Sequence, residues 1–252
     1  MPLSGDGRRF TKIIQTADAV CDLHGRMKLS AILQHMQEIS SAHLDALGIP
    51  YTLLLENRQV FLLSKIQLKM QKRPMASEMF RLQTTPKTPA GAQFIRCNDF
   101  YDAEGRLLMH ADTTWMLVDP VTHRILRPAD FIGDIRYVED GASPLPRLRL
   151  TAPETEEAGE RLVRFSDLDI NNHMNNAIYA DICMDFLPEE VFREQEPEEL
   201  TIHFRSEARA RDRLRVVRGE YAPGYYYLRA DKAEGVCFEA SLKMRKQALP
   251  IR

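Results

Sequence analysis

Apolar residues recur at helical spacing through Leu29, Ile32, Leu33, Met36, Ile39, Leu44 and Leu47, with His43 on the same face. This pattern predicts one long amphipathic helix, stopped by Gly48 and Pro50. The segments around it alternate with a period of two. Residues 10–20, 61–70, 80–83, 93–101 and 106–118 read as strands, and Asp102-Ala103-Glu104-Gly105 reads as the turn joining the last two. Residues 136–160 lose all periodicity. Their prolines (Pro144, Pro146, Pro153) and acidic run (Glu154, Glu156, Glu157, Glu160) predict a linker crossing the surface. The plan then returns. A short strand at 161–165 leads to a polar loop, a helix over 177–187 broken by Pro188, and strands near 200–204, 213–221, 225–230 and 236–245.

One antiparallel sheet curled around one long helix buries the apolar face of both. The expected fold is therefore α+β, with that plan used twice: an N-terminal domain at 1–135, the linker at 136–160 and a C-terminal domain at 161–252. A degenerate internal repeat supports the doubling. Asp22 and Met27 match Asp169 and Met174, Leu68-Lys69-Met70 matches Ile202-His203-Phe204, and Ala103-Glu104-Gly105 matches Ala233-Glu234-Gly235. In this register Arg26 stands at His173 and His24 at Asn171. The first copy keeps the scaffold and has lost the polar set.

That polar set fills the loop at 165–179. Asp167, Asp169, Asn171, Asn172, His173, Asn175 and Asn176 crowd into it, and such side chains compete with the backbone for its own hydrogen bonds. Asn175 is a natural N-cap for the helix that follows. Capped polar loops are common in proteins without chemistry. What singles this one out is a carboxylate, an amide and an imidazole at alternate positions, Asp169, Asn171 and His173. An extended loop would point all three one way. Backbone N–H groups near Asn175 and Asn176, at the positive end of a helix, would stabilise an oxyanion formed from a carbonyl.

Composition narrows the class. The chain has 252 residues, a net charge of -2 and 28% charged residues. Nothing in this points to nucleic acid, and no apolar run approaches membrane-spanning length. Residues 1–10 contain no apolar secretory core. Cys21, Cys97, Cys183 and Cys237 are widely spaced, with no Cys-x-x-Cys pair, so neither a disulfide framework nor a zinc site is expected. Reduced thiols in a cytoplasmic protein without metal or cofactor are the simplest reading.

The run from Arg164 to Tyr179 resembles the signature loop of the acyl-acyl carrier protein thioesterases, which carry a similar D-x-N-x-H-x-N-N-x-x-Y pattern. The resemblance implies two hotdog domains in tandem and hydrolysis of the thioester of an acyl-acyl carrier protein. It continues into His203-Phe204-Arg205-Ser206-Glu207, where the family carries a Glu. Many members follow that Glu with Cys; here Ala208 stands there, so a thiol nucleophile at that position is excluded. Read alone, Glu207 is a solvated carboxylate among arginines. The resemblance makes it the base, or the group orienting the base, for an attacking water. His173 would relay the proton, Asn171 would hold the water or the carbonyl, and Asp169 would orient both.

The family places the acyl chain in its N-terminal copy, which makes Met36, Ile39 and Trp115 candidates for lining it; their ordinary role is core. Arg209 and Arg213 belong to a basic run from Arg205 to Arg218. That run would steer an acidic acyl carrier protein, or simply guard an edge strand. Three alternatives stay open: a hotdog hydrolase of acyl-CoA, a hotdog hydratase, whose Gly-Asp and Asn-Pro pairs this loop lacks, and an acyl-thioester sensor that binds without cleaving. Whether the chain forms a homodimer is also open. The absence of a visible transit peptide fits a bacterial-type cytoplasmic member.

Overall fold

The computed structural model of the chain describes residues 3, 4, 6–139 and 150–247. It divides into two compact units, one of residues 1–27, 34–66 and 71–146, the other of 28–33, 67–70 and 147–252.

The first unit contains β1 (Phe10–Gln15), most of α1 (Leu29–Ala46), α2 (Tyr51–Glu56), most of β2 (Val60–Met70), β3 (Met79–Ala90), β4 (Gln93–Tyr101) and β5 (Leu107–Val118). Its strands lie in the order β1-β3-β4-β5-β2. The expected long helix is there. Met36 and Ile39 on it are fully buried, while Gln34, Glu38 and Asp45 face water. Gly48, at a φ of +75°, ends it: Gly48 N–H donates to Asp45 O and Ile49 N–H to Leu44 O. This double bond closes the last turn, and Ile49 packs in a small cluster with Leu54 and Ile135. Pro50 was expected only to stop a helix, yet it also starts α2, where a missing N–H costs nothing.

Polar groups are buried in this unit too. The imidazole of His43 accepts a hydrogen bond from Arg96 at Nδ1 (2.9 Å), and its Nε2 lies 3.1 Å from Gly7 O. That pattern holds His43 neutral. Burial first, and the Arg96 charge second, press its pKa down to about 4.

The second unit contains β6 (Glu156–Leu162), α3 (Ile178–Asp185), α4 (Val191–Glu194), β7 (Gln195–Phe204), β8 (Arg213–Ala222), β9 (Tyr225–Lys232) and β10 (Gly235–Lys246), in the sheet order β7-β10-β9-β8-β6. Leu200, Ile202, Leu228, Ala240 and Leu242 are sealed on one face, as period-two alternation requires. Tyr179 of α3 packs edge-on against Phe204 and Phe238. At eight residues α3 falls short of the 177–187 expected, because its last turn closes at Phe186, whose amide donates to Ile182 O, with Leu187 N–H on Met184 O ahead of Pro188.

Part of the expected linker is sheet. Residues 140–149 lie outside the described residues, but β6 begins at Glu156, and Phe165–Asp167 is a 3-10 turn instead of a strand end. The acidic run that reads as solvated loop pairs with the arginines of β8. Glu156 contacts Arg218 at 2.9 Å and Glu160 contacts Arg213 at 3.4 Å. No helix among the described residues is long and apolar enough to cross a membrane.

Candidate active site

Every contact of the loop at 165–179 described here lies within the second unit. The loop is not extended. The Asp169 carboxylate accepts the amides of Asn171 (2.8 Å) and His173 (3.3 Å), while the Asp169 amide donates to His173 O (2.8 Å). Asn172 takes a left-handed φ of +61°, which Asn tolerates, and Leu168 bridges Met174. A closed turn replaces the alternation expected from sequence, since a short acidic side chain captures nearby N–H groups. Asp169 therefore faces its own backbone, and Asn171 faces water.

His173 leaves this turn toward Glu207. Its Nε2 lies 3.0 Å from Glu207 Oε2, and both side chains are partly exposed. Glu207 sits just beyond β7. Arg205 and Ser206 donate their amides to Cys237 O, and Lys232 Nζ donates to Glu207 O at 2.6 Å. Met174 N–H donates to Ala208 O at 2.7 Å, which ties the two segments together. Beneath them the Tyr179 hydroxyl takes a hydrogen bond from the Ala208 backbone and lies 3.8 Å from Cys237 Sγ. Lys232, Tyr179 and Cys237 went unassigned in the sequence reading. The signature pattern in the loop ends on Tyr179, which is the signal that marks it; nothing local marks the other two.

Asp167 anchors the entrance to the turn. It is buried, bonded by Arg161 at 2.7 Å and by the Arg164 amide at 2.7 Å. Asn175 Oδ1 accepts Ala177 N–H at 2.9 Å, but the cap position of α3 is Ala177, without a side-chain bond, so Asn175 closes the preceding turn and is not the N-cap expected. Its own amide donates to Asp167 O, so Asn175 N–H is spent and cannot serve an oxyanion, contrary to expectation. The Asn176 amide makes no backbone hydrogen bond among the described residues.

The thiols are not nucleophiles in this setting. Although remote in sequence, Cys237 lies under the site, where burial pushes its pKa up to about 11. Burial also raises Cys183. Of the other candidates, Met36 and Ile39 are core, and Trp115 is half-buried with its indole N–H on Thr113 Oγ1. Arg213 is paired with Glu160. Arg209 is exposed, 3.9 Å from Glu207 Oε2.

The same turn occurs in the first unit. Asp22 Oδ1 accepts the amides of His24 (2.9 Å) and Arg26 (3.0 Å), the Asp22 amide donates to Arg26 O (2.8 Å), and Gly25 holds the left-handed position. Met27 N–H donates to Pro74 O as Met174 does to Ala208 O. The residue before Pro74 is Arg73, the counterpart of Glu207, and its guanidinium bonds Asp22 Oδ2 at 2.8 Å. The scaffold is duplicated, and the imidazole–carboxylate pair is not.

Residues 7–135 match the family described as acyl-ACP thioesterase N-terminal domain, and residues 151–245 the one described as acyl-ACP thioesterase C-terminal domain. A chloroplastic acyl-[acyl-carrier-protein] hydrolase of Cuphea viscosissima is 22% identical over 201 residues, covering 71% of this chain and 47% of its own length. A chloroplastic oleoyl-acyl carrier protein thioesterase of Arabidopsis thaliana is 21% identical over 207 residues, covering 73% and 55%. The chain spans about half the length of the curated relatives it matches. Among solved structures, an acyl-ACP thioesterase from Bacteroides thetaiotaomicron has a TM-score of 0.85 at 18% identity, covering 96% of this chain and 100% of that one. A 12:0-ACP thioesterase from Umbellularia californica has a TM-score of 0.77 at 17% identity, covering 95% and 98%. The fold they share with this chain is the tandem hotdog. With both domain families matched in order along its length, the chain belongs to the acyl-ACP thioesterase family.

Proposed function

We propose that the chain hydrolyses the thioester of an acyl-acyl carrier protein, releasing a free fatty acid and ending chain elongation. The observation that carries this reading is the His173–Glu207 pair, 3.0 Å apart and open to water. In this mechanism the pair removes a proton from a water held by Asn171. The water oxygen attacks the thioester carbonyl, and the Asn176 amide with the positive end of α3 stabilises the oxyanion. Collapse breaks the C–S bond. The thiolate of the carrier's phosphopantetheine leaves and takes the proton from His173, so acid and thiol account for all the atoms. Asp169 acts by holding the turn. No metal or covalent intermediate is needed for so activated an acyl group.

In this reading residues 161–252 are the catalytic copy, and residues 1–135 hold the acyl chain near Met36, Ile39 and Trp115. Phe165 supports a protein partner. It is 88% exposed beside the site, and the first copy has Asp18 at that position. Ile170 supports it less, because its counterpart Leu23 is equally exposed. We place the protein in the cytoplasm.

One observation favours a second reading, acyl-CoA as substrate: Glu156, Glu160 and Glu239 each pair with an arginine of the basic run and weaken it as a docking rim. The experiment follows free thiol released from one acyl group carried on acyl carrier protein and on CoA. Faster release from the carrier protein supports the proposal, faster release from CoA selects the second reading, and binding without release makes the chain a sensor.

A further inference from the structure

The β4–β5 pairing assembles a cluster that the thioesterase reading does not use. The antiparallel register sets Cys97 opposite Asp112 and Asp99 opposite His110. Residues two apart on a strand share a face, so these four side chains form one patch. Cys97 Sγ lies 2.9 Å from Asp112 Oδ1, and His110 Nε2 lies 3.4 Å from that same oxygen. The three ligand atoms all fall within 4.8 Å of one another. On the far side of the ring, His110 Nδ1 bonds Asp99 Oδ1 at 2.6 Å. Cys97 and Asp112 are buried and His110 is partly exposed, which leaves a path from solvent.

We propose that Cys97, His110 and Asp112 bind a zinc-class divalent cation, with Asp99 as the positioning residue behind the imidazole. A thiolate, an imidazole and a carboxylate are the donors such borderline-soft ions select, whereas magnesium and calcium take oxygen alone. A carboxylate on Nδ1 holds the ring so that Nε2, once it gives up its proton, faces the metal, the common arrangement behind histidine ligands. The spacing also fits. Tetrahedral zinc holds oxygen and nitrogen ligands roughly 3.3 Å apart and oxygen and sulfur roughly 3.5 Å apart. The nitrogen–oxygen gap of 3.4 Å already matches, and the sulfur–oxygen gap of 2.9 Å would open by about 0.6 Å as the ion enters, with sulfur and nitrogen within 4.8 Å of each other. The thiol proton and the Nε2 proton would leave to solvent as the ion enters. Three protein ligands leave a fourth position for water. The absence of a Cys-x-x-Cys pair argues against a metal only for ligands close in sequence; here the strand register supplies the spacing.

The test uses the full chain, stripped with a chelator and titrated with Co(II). We expect one equivalent to bind with tetrahedral visible bands and a thiolate-to-cobalt charge-transfer band, and Zn(II) to displace it. Cys97→Ser should abolish the charge-transfer band, His110→Gln should weaken binding by about 100-fold, and Asp99→Asn by about 10-fold. His173→Ala should leave the cobalt spectrum unchanged. Each variant is first shown to melt cooperatively without metal; where one fails, Cys97→Ala or His110→Asn replaces it. No thiolate band in the wild type, or a band that survives loss of Cys97 and His110, overturns the proposal.

Discussion

Met174 donates its amide to the carbonyl of Ala208 at 2.7 Å, and that one bond sets the preceding residues, His173 and Glu207, at hydrogen-bonding distance. The reactive pair is thus held by main chain, with Lys232 and Tyr179 bracing the Glu207 side. Substitutions that spare this frame should change chemistry without changing the fold.

Glu207→Gln and His173→Ala are therefore expected to lower kcat for thioester hydrolysis by about 100-fold or more, with melting temperatures near wild type. Thiol-release kinetics and thermal melts check this. Turnover within a few-fold of wild type in both variants would remove them from the mechanism.

The duplicated turn separates structure from catalysis. Asp169→Ala removes two side-chain-to-backbone hydrogen bonds and should cost about 1–2 kcal/mol of stability, whereas Asp22→Ala removes two such bonds and also the carboxylate of the buried Arg73 guanidinium, and should cost more, about 3–5 kcal/mol. Only Asp169→Ala should also depress kcat, because only its turn carries the imidazole. Denaturant melts paired with kinetics decide it; equal loss of activity in both variants would point to global destabilisation as the cause.

The docking arginines can be tested away from the site. Arg209 lies too near Glu207 for a clean reversal, whereas Arg213 and Arg215 lie on β8. Reversing both to Glu should raise KM for the carrier-linked substrate several-fold, more at low salt than at high. It should leave kcat/KM for a small acyl-N-acetylcysteamine unchanged. If the carrier-linked reaction is indifferent, these arginines serve the pairing with β6 alone.

His43 should make the fold acid-sensitive. Its pKa is lowered from 6.5 to about 4, so the unfolded chain binds this proton more readily than the folded one. The contribution is fully present above pH 6.5 and is lost as pH falls toward 4, on the order of 3 kcal/mol in all. His43→Gln keeps an acceptor for Arg96 and a donor for Gly7 without a titrating group. Its stability should fall less steeply over that window than that of the wild type, as measured by denaturant unfolding at each pH.

The sequence by itself determined what is local. Helical spacing from Leu29 to Leu47 records one buried face, period-two runs record half-buried strands, and the Asp and Asn residues around 169 record an ordered polar loop, though not the closed turn it adopts. The repeat of Asp22 to Met27 in Asp169 to Met174 was legible because the turn's hydrogen bonds close within a few residues. What only the tertiary structure decided is which distant segments meet. The acids at Glu156 and Glu160 became a strand because β8 offers arginines across from them. Asn175 lost its amide to Asp167, and Cys97 met His110 and Asp112. Those outcomes depend on strand register, and a shift of one residue turns every side chain to the other face while leaving the periodicity of the sequence unchanged.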